Sequence, residues 1–410
     1  MKKLRYALAM MLVLALLAAC GGGGGTKTTA TPAPESGGDT DTETTPAPAE
    51  EGGVIKIGLI TPVTGTNKLV GEYTQNGAKL AQDAINASGG ILGKQIEIVV
   101  GDEVDNMQDS VNATSMLLSQ DDIAAIIGSL YSQYCIAVMP NVLDAKVPYF
   151  ASGSSSGVSL ENNPYTWQVR PIDTFQGVTL AEVAVNELGM TNPAILYSTQ
   201  STFASLAEQT QIALENMGIE ISDSNLFGFP EEETNYAPYF AQVLAGDYDG
   251  MLVMSNQMPA ALICQQAEIA GIDVNEFPSL GSTSFCSNVC ITNAGDSANG
   301  WYSVADWAPG GSTEAGAAFE KLYSDTYGTA SDLPAAVAYD SIYLIKEACE
   351  KMGATDRESI NKGLEMIKMY PGAISTFSYF EDHVFATSLG ITKNVDGKPT
   401  MISPASFREP

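Results

Sequence analysis

From Val54 onward the chain alternates short β-prone runs with segments of helical period, and this alternation restricts the fold more than any other feature. Val54 to Val63 (VIKIGLITPV) is rich in the branched residues that suit a pleated, half-buried surface. Gly71 to Ala87 then places Tyr73, Gly77, Leu80, Ala81, Ala84 and Ile85 at helical spacing, and Gly89-Gly90 ends the run. Further strands are predicted at Gln95–Val100, Ile123–Ile127, Val147–Ala151, Ala194–Tyr197 and Met251–Met254. Helices are predicted at Gln108–Ser119, Ile136–Ala145, Phe175–Leu188, Leu206–Met217, Tyr236–Ala245 and Pro259–Ala270. Parallel strands need a crossover, usually a helix, so repeated βα units predict an α/β fold of parallel sheets with helices on both faces. A chain of 410 residues has room for two such sheets. Past Ser312 the pattern turns helical, over Ala315–Tyr327, Leu333–Met352 and Arg357–Tyr370, before short strands near Phe377 and over Phe385–Ile391.

The N-terminus carries a different signal. Lys2, Lys3 and Arg5 precede an uninterrupted apolar run from Tyr6 to Ala19. The run is shorter than the roughly 20 residues that span a bilayer, and it has the length of a signal-peptide core. It ends in Leu17-Ala18-Ala19-Cys20, which resembles the bacterial lipobox, where the thiol is acylated and the peptide before it removed. Residues 1–19 are therefore expected to be a lipoprotein signal peptide and Cys20 a lipidated anchor. Residues 20–53 read as a disordered Gly/Thr/Pro linker, too poor in large apolar side chains to offset chain entropy. The expected location is the outer face of the cell membrane, with 54–410 as the folded domain.

A formal charge of −29 argues against a nucleic-acid partner. Of six cysteines, Cys286 and Cys290 are a candidate disulfide, since they are the nearest pair and export permits bridges. They lack the spacing of a zinc site. Asp102-Glu103-Val104-Asp105 and Glu231-Glu232-Glu233 lack the spacing of a calcium cage, so no metal and no cofactor is expected.

Ligands of open parallel sheets sit beyond the carboxyl ends of the strands. Two Gly/Ser-rich loops fall there, Gly128-Ser129-Leu130-Tyr131-Ser132 and Ser152-Gly153-Ser154-Ser155-Ser156-Gly157. Hydroxyls and free backbone N–H groups in such loops suit a small anion. The second loop also matches the G-x-S-x-G motif of serine hydrolases, which would need Ser155 to meet the lone histidine, His383, and an acid such as Asp340.

These residues resemble a known family. Ile55 to Gly65 (IKIGLITPVTG), the G-x-x-L-A-x-D-A-I-N-A-S-G-G-I-L-G pattern of residues 77–93, Asp102 with Asp105, AAIIG (124–128) and Val147-Pro148 resemble the branched-chain amino-acid (Leu/Ile/Val) type of ABC-transporter solute-binding protein. VRPIDTFQG (169–177), GWY (300–302) and AYD (338–340) fit later landmarks. The resemblance implies the two-lobed periplasmic-binding-protein type I (Venus-flytrap) fold, with three hinge crossings near Thr166–Ile172, Gly300–Asp306 and Ile374–Ser378. Lobe 1 would comprise about 54–170 and 305–374, and lobe 2 about 171–304 and 375–410. By the same resemblance Ser132, Gly153 and Ser155 (Ser154 or Ser156 on a shifted register) would hold a ligand carboxylate, with Tyr131 beside it. The family's acidic partner for an ammonium falls at Thr283, and its aromatic wall at Thr202, next to Phe203. The implied protein is no enzyme. It is a monomer that binds a small carboxylate-bearing solute, an amino acid or relative, and partners an ABC permease. A sensory subunit of a receptor and the serine hydrolase are the alternatives.

Overall fold

A computed structural model of the chain describes residues 52–160, 163–308 and 313–407. Cys20, the apolar run before it and the linker lie outside the described residues. The first stretch comprises β1 (Val54–Thr61), α1 (Lys68–Ala87), β2 (Gln95–Asp102), α2 (Met107–Leu118), β3 (Ile123–Ile127), α3 (Ser132–Ala145), β4 (Tyr149–Ala151), α4 (Ser156–Leu160) and β5 (Thr166–Gln168). The second comprises α5 (Asp173–Glu182), β6 (Ala194–Ser198), α6 (Ser201–Asn216), β7 (Leu226–Phe229), α7 (Ala237–Ala245), β8 (Met251–Met254), α8 (Gln257–Ile269), β9 (Ser279–Gly281), α9 (Asn288–Ala294) and β10 (Tyr302–Ala305). The last comprises α10 (Glu314–Tyr327), α11 (Leu333–Met352), α12 (Arg357–Leu364), β11 (Tyr370–Pro371), β12 (Thr376–Glu381), β13 (Val384–Ala386), β14 (Ser388–Val395) and β15 (Lys398–Phe407).

The strands form two sheets, in the orders β11-β12-β13-β5-β4-β3-β1-β2 and β15-β14-β10-β9-β8-β6-β7. Strands β1 to β5 pair in parallel, and so do β6 to β10, as the βα alternation requires. Antiparallel strands finish one edge of each sheet. β1 shows why such strands are apolar on both faces. Its Ile55, Ile57 and Leu59 join the core built with α1, α10, α11 and α12. On the opposite face Ile60 packs with Leu117 of α2 and Val138 of α3. The late helices thus return to the first sheet, so lobe 1 is discontinuous.

The sheet order corrects one expected boundary. β12 and β13 belong to the first sheet, where Val384 pairs with Gln168 of β5, and only β14 enters the second. The third crossing is therefore at Thr387, not Ile374–Ser378. Phe377 and Phe385 are fully buried and pack edge-to-face in the lobe 1 core, which holds this hairpin in place. The other crossings are residues 169–172 between β5 and α5 and residues 306–308 after β10. Asp340 of the AYD motif accepts from Ala373 N (2.7 Å) and Ile374 N (2.8 Å), fixing the turn before β12. No helix among the described residues is long and apolar enough to cross a membrane.

The cysteines supply a second correction. Cys286 and Cys290 are free thiols, as are Cys135, Cys264 and Cys349. Cys286 ends a 3₁₀ turn with its sulfur toward Thr283 O (3.1 Å), whereas Cys290 sits inside α9 in the lobe 2 core with Cys264.

Candidate functional site

The two Gly/Ser loops meet at the carboxyl ends of β3 and β4, and the contact between them is tight. Ser155 N donates to Ser132 Oγ (3.1 Å), and Gln168 Nε2 donates to Gly153 O and Ser155 O (each 3.0 Å). A Cβ on Gly153 would lie 2.7 Å from Ser132 Cα, so only glycine allows this approach. Ser155 Oγ accepts from Gly157 N (3.2 Å) at the start of α4. Ser132, Gly153 and Ser155 are thus engaged in joining the loops. None of them is on the wall of the neighbouring cavity.

That cavity lies between the lobes and contains about 650 Å³ of space free of protein atoms, partly open to solvent. Tyr131, Ser154, Thr202, Phe203 and Thr283 line it, from the set singled out in the sequence. Tyr131 and Ser154 come from lobe 1. Thr202 and Phe203 occupy the first turn of α6, and Thr283 follows β9, all in lobe 2.

Arg170, Asp332, Gln200 and Trp307 also stand on its wall. Arg170, on the first crossing, donates from Nε to Asp306 Oδ2 (2.7 Å) on the second. It also donates from Nη1 to Ser152 O (3.2 Å) and from Nη2 to Thr283 Oγ1 (3.5 Å). Its side chain is only 7% exposed, and that of Asp306 is 1% exposed. A guanidinium has five N–H donors, so this one retains some for a ligand. Asp332 caps α11, accepting from Leu333 N (2.7 Å) and, across the lobes, from Asn288 N (3.1 Å). Burial pushes its carboxyl up to about 6. Gln200 precedes α6, and Trp307 lies on the second crossing. Sequence signals existed for two of these. Arg170 sits in the VRPIDTFQG stretch, and Asp332 with Pro334 marks a helix start.

Asp173 lies just behind the wall. It is buried beside Ser154 and Ser205 and within range of the Arg170 charge. Burial pushes it up to about 7.

The hydrolase constellation is not assembled. A short helix, α4, does follow the Ser loop. However, Ser155 Oγ is engaged by Gly157 N, and Asp340 by two backbone donors. The His383 ring packs edge-on against Trp167 at 4.5 Å between centroids. The acidic runs also have structural partners. Asp102 accepts from Val63 N (2.9 Å) and Thr64 Oγ1 (2.7 Å), and Asp105 accepts from Thr66 N and from Asn67 N (3.1 Å), so they anchor the β1–α1 loop.

Comparison with known proteins agrees with this architecture. Residues 54–398 match the periplasmic binding protein family. A Leu/Ile/Val-binding protein homolog 7 of Brucella suis is 25% identical over 338 residues, 78% of this chain and 82% of that protein. Its Brucella abortus counterpart is 28% identical over 229 residues, 53% of this chain, and the match spans only 56% of that relative's length. Among solved structures, the branched-chain amino acid transporter substrate binding protein of Streptococcus pneumoniae, in complex with isoleucine, superposes with a TM-score of 0.75 at 25% identity. The superposition covers 86% of this chain and 100% of that one. A leucine binding protein of Thermotoga maritima gives 0.77 at 20% identity, over 85% and 98% of the two chains, a likeness of fold. Two βα lobes, three crossings, a polar cavity between them and a match over most of the chain lead to one conclusion: the chain belongs to the periplasmic binding protein family, with the two-lobed type I fold.

Proposed function

We propose that this protein captures an amino acid or close relative between its lobes and delivers it to the permease of an ABC transporter. The carrying observation is an interlobe cavity with opposite charges on its wall, the Arg170 guanidinium and the Asp332 carboxylate. A zwitterion answers both. Arg170 and Ser154 take its carboxylate, and Asp332 takes its ammonium, filling the role that falls to Thr283 by position. A buried ammonium needs such a counter-charge. Ser132, Gly153 and Ser155 shape the loops that present Ser154. Residues from both lobes contact the ligand, so it binds the closed form better than the open one and shifts the population toward closure.

The protein works outside the cytoplasm, tethered through an acylated Cys20. The tether raises its effective concentration near the permease. The names of its relatives, Leu/Ile/Val-binding protein homologues, and the isoleucine complex support an amino-acid ligand. A thermal-shift screen of L-amino acids against the corresponding amines and carboxylic acids tests the reading. A ligand bound only by the native state raises the melting temperature. At least one amino acid should do so, and more than its amine or acid fragment at equal concentration. A screen in which no amino acid moves the transition overturns the reading.

A further inference from the structure

Three buried polar atoms on the cavity residues have no protein partner: Gln200 Oε1, Thr202 Oγ1 and Trp307 Nε1. Trp307 is 4% exposed, and its N–H can only donate. Gln200 Nε2 donates to Glu231 Oε1 (3.2 Å). That bond orients the amide so that its oxygen is the unpaired atom, and a flip would set two acceptors against each other. Thr202 lies in the first turn of α6, a helix of 16 residues whose first backbone N–H groups have no intrahelical acceptor. The wall therefore offers donors at Trp307, Thr202 and the α6 terminus, together with a fixed acceptor at Gln200.

A branched aliphatic side chain would leave all of these unanswered, and buried polar groups without partners weaken binding sharply. A side-chain carboxylate would meet the donors but face Gln200 Oε1, with Glu231, Asp306 and Asp332 adding repulsion. A neutral group that both accepts and donates fits every partner. We infer that the ligand is an amino acid with a carboxamide-type side chain, read by Gln200, Thr202 and Trp307 in place of the aliphatic side chains that its relatives are named for. The inference rests on the amino-acid reading above.

Calorimetric titration of the full chain with L-glutamine, L-asparagine, L-glutamate, L-leucine, L-isoleucine and L-valine tests it, alongside Thr202→Val and Thr202→Ser. Glutamine or asparagine should bind at least tenfold more tightly than leucine, isoleucine, valine or glutamate. Thr202→Val should cut the ratio of carboxamide to leucine affinity about tenfold, the effect of one lost hydrogen bond. Thr202→Ser, which keeps the hydroxyl, should restore the ratio. Leucine, isoleucine, valine or glutamate binding as tightly as the carboxamides overturns this inference and leaves the amino-acid reading standing. So does a ratio that Thr202→Val does not move. Binding of no amino acid at all overturns both.

Discussion

Asp332 carries two tasks in one side chain. Its carboxylate caps α11, and it places a negative charge on the cavity wall. The tasks can be separated, because asparagine caps a helix about as well as aspartate. Asp332→Asn should therefore keep the cap at Leu333 N and lose one acceptor at Asn288 N, lowering the melting temperature of the ligand-free protein by no more than one hydrogen bond is worth. Amino-acid affinity should fall at least tenfold, since a hydrogen bond to a charged partner contributes about 1.5–3 kcal/mol. The pH dependence adds a second readout. The carboxyl stands at about 6 in the ligand-free fold, so binding an ammonium below that pH requires a proton to leave. Affinity should rise from pH 5 to pH 7.5 in the wild type, and that rise should be smaller in the variant. Titrations in two buffers of different ionisation enthalpy would show the proton release, and an equal pH slope in both proteins would count against Asp332 as the ammonium partner. Loop position brought Tyr131 and Ser154 to notice, and the family resemblance brought Thr202, Phe203 and Thr283. Arg170, Asp332, Gln200 and Trp307 come from separate stretches of chain, and only folding brings them onto one wall.

At the level of elements, the strongest constraint is the α1–α11 contact in lobe 1. A Cβ on Gly77 would lie 2.0 Å from Ala335 O and 2.6 Å from Ala335 C. These are backbone atoms of another helix, so no rotamer change can relieve the clash. Alanine ordinarily gains about 1 kcal/mol over glycine in a helix. Overpacking costs about 1–3 kcal/mol, more where backbone must move, and here the second effect wins. Gly77→Ala should destabilise the protein by about 2 kcal/mol, read as a lower urea midpoint with the slope retained. A midpoint at or above wild type would mean that the helices separate freely. Periodicity placed Gly77 on the buried face of its helix, but it could not name Ala335, some 250 residues further along the chain. The short strands β7 and β9 were missed for a related reason. Three or four residues show no reliable period, and neighbouring strands define them. The Phe377–Phe385 hairpin was expected across the hinge, and its pairing with β5 assigned it to lobe 1.

For the whole molecule, buried acids set the pH response. Burial pushes Glu103, Asp173 and Asp340 up to about 7, and Asp332 up to about 6. Each has a folded value above its unfolded one, so between roughly pH 4 and pH 7 the folded state binds more protons. Stability then falls as pH rises through that window. Asp356, held low by Ser359, has the opposite sign below that window, and His383, lowered by burial, has it within the window as one group against four. The ligand-free protein should melt several degrees higher at pH 5 than at pH 8. Asp173→Asn should reduce the difference, because it removes one of the buried carboxyls raised above their unfolded value. A melting temperature that rises from pH 5 to pH 8 would contradict this account.

The sequence by itself determined the βα alternation, the two sheets and the two loops at the strand ends. All of these follow from local periodicity and turn chemistry, which a linear chain displays directly. Tertiary structure decided where the third crossing falls and which hydroxyls join loops instead of facing the cavity. It also brought the Arg170–Asp306 pair, Asp332 and the unpaired atoms of Gln200, Thr202 and Trp307 around one space. Strand pairing, loop contact and charge proximity depend on distances between residues far apart in the chain. No local pattern encodes those distances, because they arise only when both sheets and all three crossings are in place.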